Sequence, residues 1–233
     1  MLYTNMPQGS SFFVSEAYKT LRTNLLFSFS KSVNRVVMIT SAEPNVGKSV
    51  TTANLALTMG QTGSRVLIID ADMRKPRQHK VFGVSNTNGL SKLLGGLSVL
   101  DNSSLFRNVS ENVDLIPAGP TPPNPSELLG SPIMGQLLKE LSNVYDYIFI
   151  DTPPLGIVSD PLSLLTFIQN VVVVARHAKT PYPDLKKCIS SITSLGGAVL
   201  GLIITDTTRK NRTSNYYKSH YYKKYGYYNG YTS

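Results

Sequence analysis

The sequence has 233 residues, 41% of them hydrophobic, and a formal net charge of +9 from 23 Lys and Arg against 14 Asp and Glu. That length suits one large domain, and the single cysteine, Cys188, excludes an intrachain disulfide framework and fits a reducing, intracellular compartment. Six of the nine excess charges (Arg209, Lys210, Arg212, Lys218, Lys223 and Lys224) follow Asp206 with no acid among them, so the charge marks a basic appendage on a nearly balanced body and is no ground by itself for nucleic-acid binding.

Taken in chain order, apolar residues at helical spacing, among them Ala17, Leu21 and Leu25, predict a first helix in SEAYKTLRTNLLFSF with Ser15 as its N-cap. RVVMITS is a β-branched run and predicts a strand. KSVTTANLALTMGQTG predicts an amphipathic helix closed by Gly63. RVLIID has the continuous apolar character of a buried parallel strand. Residues 73–112 are polar, with one short helix expected at GLSKLLG. VDLIPAG predicts a strand and PTPPNPSE a Pro-rich loop. SPIMGQLLKELSNVY predicts a helix capped by Ser131 with Pro132 in its first turn. YIFID is a strand, SDPLSLLTFIQN a helix, VVVVA a strand, and PDLKKCISSITSLG a helix in which Cys188 reads as a small buried hydrophobe. AVLGLIIT reads as a final buried strand. No apolar run reaches the roughly 20 residues that cross a bilayer, and no secretory leader is legible. Strands alternating with helices argue for an α/β fold, a mostly parallel sheet with helices on both faces. The expected division is residues 1–206 as the domain and 207–233 as a flexible, disordered tail, because that composition cannot build a core.

AEPNVGKS, residues 42–49, lies between a predicted strand and a predicted helix and fits G-x-x-x-x-G-K-[ST], with Ala42 in place of the first glycine. Consecutive backbone N–H groups and a helix N-terminus there can surround a polyphosphate. The reading assigns Ala42, Glu43, Pro44, Asn45, Val46, Gly47, Lys48, Ser49 and Val50 to nucleotide binding. Lys48 reaches the β- and γ-phosphates, Ser49 holds Mg²⁺, Gly47 lets the backbone approach closely, and Asn45 tolerates a positive φ. Two apolar strands end in carboxylates. Asp70 and Asp72 point the same way if the strand stays extended, and Asp151 reads as a Walker B metal residue. Open α/β sheets bind ligands at such strand ends. His79, His177 and His220 show no metal-ligand spacing. The tail holds eight of the 13 tyrosines: Tyr216, Tyr217, Tyr221, Tyr222, Tyr225, Tyr227, Tyr228 and Tyr231. Alone, it is open to three readings: a phosphorylation substrate, an ordinary disordered basic tail, or a single-stranded RNA binder in which aromatics interleaved with cations stack bases.

Together AEPNVGKS, LIIDADMR, IFIDTPP and the tyrosine-rich tail resemble the bacterial tyrosine kinases of capsule and exopolysaccharide synthesis, the BY-kinases, over nearly the whole chain. The resemblance implies a P-loop NTPase-type fold, with ATP and Mg²⁺ as cofactors. It implies protein-tyrosine kinase activity that autophosphorylates the tail tyrosines in trans within an oligomer and regulates polysaccharide synthesis and export. Asp70 is then the proton acceptor; Lys48, Asp72 and Arg74 complete the catalytic set; Ser49, Asp72 and Asp151 serve the metal. It also implies a ring built through an E-x-x-R-x-x-R helix, present here as Glu16, Lys19 and Arg22 with Lys in place of one Arg. A membrane-spanning activator of the polysaccharide co-polymerase type, fused or separate, is implied, with other tyrosine substrates and a cytoplasmic position at the inner face of the membrane. No nucleic acid is expected. The alternative is a P-loop ATPase switch of the partition or septum-positioning type. Those proteins carry a signature lysine where this loop has Glu43. A last expectation is electrostatic: a basic tail drawn to a carboxylate-rich site, less so in salt.

Overall fold

The computed structural model describes residues 10–29 and 35–207. The eight tail tyrosines, and the expectation of a disordered tail, lie outside them. In chain order the elements are α1 (Ser10–Phe29), β1 (Val36–Ser41), α2 (Lys48–Gly60), β2 (Val66–Asp70), α3 (Gln78–Phe82), α4 (Leu90–Leu94), β3 (Phe106–Ser110), β4 (Val113–Ile116), α5 (Pro125–Leu129), α6 (Pro132–Ser142), β5 (Tyr147–Asp151), α7 (Asp160–Ser163), β6 (Asn170–Arg176), α8 (Tyr182–Ser194) and β7 (Ala198–Thr205). The seven strands form one sheet in the order β3-β4-β2-β5-β1-β6-β7. Only the β3–β4 pair is antiparallel.

The apolar runs of β1, β2 and β5 are buried along their whole length because helices cover both faces. Alternate residues serve opposite cores. Val37, Ile39, Ile68 and Phe149 pack with Leu25, Leu55 and Met59 of α1 and α2. Val36, Met38, Ile69 and Ile150 pack with Leu129, Met134, Leu138, Cys188 and Ile192 on the other face. The expected cap of α6 is present, with Ser131 Oγ accepting from the Met134 N–H. No helix among the described residues is long and apolar enough to cross a membrane.

Four local expectations are corrected. Helix α1 begins at Ser10, so Ser15 lies inside it rather than capping it. The expected helix at SDPLSLLTFIQN is a single turn, α7, continued by a 3₁₀ turn over Leu164–Thr166. The polar stretch 73–112 holds two elements beyond α4, the five-residue α3 and β3, and the Pro-rich loop runs into α5. The last strand, β7, is not buried. It pairs with β6 alone and leaves Leu202 and Ile204 exposed, because an outermost strand lacks a neighbour on one side.

Candidate active site

The strand order β2-β5-β1 sets three strand ends side by side. Asp70 stands in register with Asp151, and Asp151 with Ile39. From β1 the chain turns through the P-loop, with Asn45 at φ 60° as its position requires and Gly47 at φ 88°. Gly47 is the N-cap of α2 and supplies no side-chain acceptor, so the first N–H groups of α2 are left to face a ligand. A side chain at Gly156 would collide with the Ala42 carbonyl, so the loop after β5 lies directly against the start of the P-loop.

Beneath the loop, Lys48 Nζ lies 2.5 Å from Asp151 Oδ1 and 4.0 Å from Asp72 Oδ2. Lys48 is 8% exposed and Asp151 fully enclosed. Glu43 through Val50, Asp72 and Arg74 line a cavity of about 880 Å³ with Pro153, Pro154 and Ile157. That is room for a nucleotide. Asp70 and Asp72 do not point the same way. Strand β2 ends at Asp70, and the chain folds back so that Asp70 Oδ1 accepts from the Asp72 N–H and Oδ2 from the N–H groups of Arg77 and Gln78. Asp70 is therefore sealed below the cavity that Asp72 lines. Burial, reinforced by the neighbouring Asp151, pushes the Asp70 carboxyl up to about 8 against the bonds from Gln78 and Arg77 and the charge of Lys48. Burial also raises Asp72, while Lys48 pulls the other way.

Arg74 is held by Asp160, which accepts from Nε at 2.6 Å and from the second terminal nitrogen at 3.0 Å. Ser126 donates to the same carboxylate. Burial works against the charge on Asp160, but these donors outweigh it and hold the carboxyl below its usual range. The hydrogen bond to Asp160 raises Arg74 in turn. The P-loop is fastened from its far side as well: Thr205 Oγ1 donates to the Val46 carbonyl at 2.5 Å, and Thr180 Oγ1 to Glu43 at 2.5 Å. Arg176 pairs with Asp206 at 2.8 Å.

These residues fit Mg-nucleotide. The oxygen donors on offer, Ser49, Asp72 and Asp151, are hard ligands of the kind Mg²⁺ takes, and they are too few to cage it without phosphate and water. No group of three His, Cys, Asp or Glu among the described residues forms a ready-made metal cage. The rim is cationic. Lys75, Arg77 and Lys80 line the same cavity, are exposed, and have no salt bridge among the described residues. The expected attraction of a basic tail to the nucleotide-loaded site concerns residues outside those described; the three carboxylates of the site, Asp70, Asp72 and Asp151, are all buried.

A family profile described as "ParA: NUBPL iron-transfer P-loop NTPase" matches residues 32–226. Tyrosine-protein kinase YwqD of Bacillus subtilis (strain 168) is 39% identical over 190 residues, 82% of this chain and 80% of that protein. The chain belongs to the bacterial tyrosine kinases. Tyrosine-protein kinase wzc of Salmonella typhimurium is 37% identical over 213 residues, 91% of this chain but 28% of that longer protein. The kinase domain of Escherichia coli tyrosine kinase ETK superposes with a TM-score of 0.81 at 34% identity, covering 86% of this chain and 78% of that one. The septum site-determining protein MinD with Mg-ADP from Pyrococcus horikoshii is more distant, with a TM-score of 0.63 and 26% identity over 77% and 72%. As a member of the kinases, the chain has a P-loop with Glu43 committed to Thr180. Iron transfer stays with the profile's description; Cys188 is buried, and burial pushes its thiol up to about 11.

In this kinase the helix residues Glu16, Lys19 and Arg22 are occupied within the chain. Lys19 Nζ lies 2.7 Å from Glu16, and Arg22 donates to the Thr58 carbonyl at 2.8 Å. Sequence reading missed Asp160, Ser126 and Gln78. Asp160 precedes a proline and reads as a helix-start residue; nothing in the spacing pairs it with Arg74, 86 positions away.

Proposed function

We propose that this kinase transfers the γ-phosphoryl group of ATP to tyrosine, chiefly to Tyr216, Tyr217, Tyr221, Tyr222, Tyr225, Tyr227, Tyr228 and Tyr231 of a neighbouring copy. The observation that carries the reading is Lys48, paired with Asp151 and adjoining Asp72 under a P-loop cavity of nucleotide size. In the transfer the phenol oxygen bonds to the γ-phosphorus as the bridging bond to ADP breaks. Asp70 takes the phenolic proton. Its raised affinity for a proton suits a base working near neutral pH. Lys48 and Arg74 stabilise charge on the transferring group, Arg74 from a guanidinium already oriented by Asp160. Ser49, Asp72 and Asp151 would hold Mg²⁺, which would supply positive charge against the phosphates. Residues 1–206 are the kinase domain and 207–233 its substrate tail.

The family resemblance extends the reading to control of capsule or exopolysaccharide export. There the chain sits at the inner face of the membrane through a membrane-spanning activator and assembles through Glu16, Lys19 and Arg22. The test is intact mass spectrometry after incubation with Mg-ATP. Successive additions of about 80 Da, each one phosphoryl group, support the kinase reading. Turnover of ATP to ADP with no added mass would support the septum-positioning type of ATPase switch instead.

A further inference from the structure

Gln78 opens α3 directly behind the D-x-D-x-R segment, and it is fully buried although polar. Its groups reach three separate parts of the site. The backbone N–H donates to Asp70 Oδ2 at 2.9 Å. The side-chain Nε2 donates to Asp151 Oδ2 at 2.8 Å and to the Ser49 carbonyl, in the first turn of α2, at 3.1 Å. Both of those partners are acceptors, so the amide nitrogen serves them and the amide oxygen is left for a third group. That Oε1 is buried and has no donor. A buried carbonyl without a donor is costly and uncommon in native proteins, and it asks for a ligand or a water. Asp151 is meanwhile gripped on both oxygens, Oδ1 by Lys48 and Oδ2 by Gln78.

A packing role does not explain this arrangement. Leucine fills a similar volume without stranding an oxygen. The amide is useful if its two ends serve different partners, the nitrogen a carboxylate and the oxygen a donor that arrives with the ligand. Mg²⁺ bound with phosphates keeps several waters, and each needs acceptors.

We propose that Gln78 is a positioning residue for phosphoryl transfer: Nε2 holds Asp151 and the start of α2 in register, and Oε1 is the acceptor for a water bound to Mg²⁺. The inference rests on the Mg-nucleotide reading given above. When nucleotide draws Lys48 toward phosphate, Gln78 keeps Asp151 from turning.

The test is Gln78→Leu, with ADP binding followed by calorimetry in Mg²⁺ and in EDTA. Outer-shell partners of metal sites are typically worth about 10–100-fold in metal affinity or activity. The expected result is unchanged affinity in EDTA, a gain from Mg²⁺ reduced by about tenfold or more, and kcat for tyrosine phosphorylation lowered. A folded Gln78→Leu protein with the full Mg²⁺ response overturns the inference. If the variant does not fold, the unmodified protein decides. The Gln78 side-chain amide resonances of the ADP-bound protein should move on adding Mg²⁺, and resonances indifferent to the metal overturn the inference equally. A wild-type protein that binds no Mg-ADP overturns the nucleotide reading and this inference with it. Normal Mg-ADP binding with an indifferent Gln78 overturns this inference alone.

Discussion

Lys48 Nζ and Asp151 Oδ1 lie 2.5 Å apart, with Lys48 8% exposed and Asp151 not exposed at all. A pair so enclosed contributes little net stability over an apolar pair, but removing one partner leaves a buried charge and costs about 3–5 kcal/mol. Lys48→Met is therefore expected to lower stability as well as to abolish nucleotide binding and tyrosine phosphorylation. Adding Asp151→Asn to it should recover much of the stability and none of the activity. Denaturant unfolding of the two single variants and the double variant checks this; strictly additive losses would show that the pair does not act as a unit.

Asp70 gives a pH dependence. Its carboxyl titrates near 8 in the folded protein and near 3.8 in its ordinary state, so the folded chain holds a proton there that the unfolded chain has lost. Stability from this group is fully present below about pH 4 and declines as pH rises toward 8. The melting temperature of the nucleotide-free protein should fall between pH 5.5 and 8.5, and Asp70→Asn should flatten that fall.

The same substitution tests the proton acceptor. Asp70→Asn should bind Mg-ADP nearly as the wild type does and transfer phosphate about 10²–10⁴-fold more slowly. Asp72→Asn, at the cavity wall, should weaken Mg-nucleotide binding itself. Wild-type phosphorylation by Asp70→Asn with a defect only in Asp72→Asn would move the base to Asp72.

Assembly is best tested at Glu16. Arg22 donates to the Thr58 carbonyl, so changing it disturbs the α1–α2 contact as well as any interface. Among the described residues the Glu16 carboxylate pairs with Lys19 on an exposed helix face, an interaction usually worth under about 1 kcal/mol. Glu16→Lys should leave the melting temperature unchanged and lower the mass seen by light scattering. An unchanged mass takes this helix out of the interface.

The rim sets the sign of the salt effect. Lys75, Arg77 and Lys80 line the cavity, and residues 207–233 carry six cations and no acid. Where these cations outweigh the site's carboxylates and its bound Mg-ATP, the tail is repelled and raising ionic strength should quicken tail phosphorylation by screening. A Lys75→Glu/Lys80→Glu variant should lose that response. Phosphorylation that slows with salt in both proteins would show that the tail meets carboxylates first.

Much of this was legible in the sequence, for reasons that differ by element. Val36–Ser41, Val66–Asp70 and Tyr147–Asp151 are continuous apolar runs ending in functional residues, so pattern and chemistry point to the same strands. The five-residue α3 and α5 are too short to show a period, and β3 is a partly exposed strand at the sheet edge with no apolar alternation. Period-two reasoning placed Asp70 and Asp72 together, but it fails because the strand stops between them. Gln78 and Asp160 act through partners dozens of positions away, and local sequence does not encode such distances.

Thr205, whose hydroxyl meets the Val46 carbonyl, is the last residue of β7, so the tyrosine-bearing segment is tethered at the P-loop of its own chain. Ten residues lie between Asp206 and Tyr216, inclusive of the latter, and reach at most roughly 35 Å. Where so short a linker can bridge the distance, a tethered segment meets its own active site at an effective concentration on the order of millimolar. A neighbour's tail arriving by free collision at micromolar concentration competes poorly with that. Transfer between copies then requires an assembly that holds the neighbour's tail at comparable local concentration, and dilution below the assembly threshold should change which chain is phosphorylated before it changes whether any is.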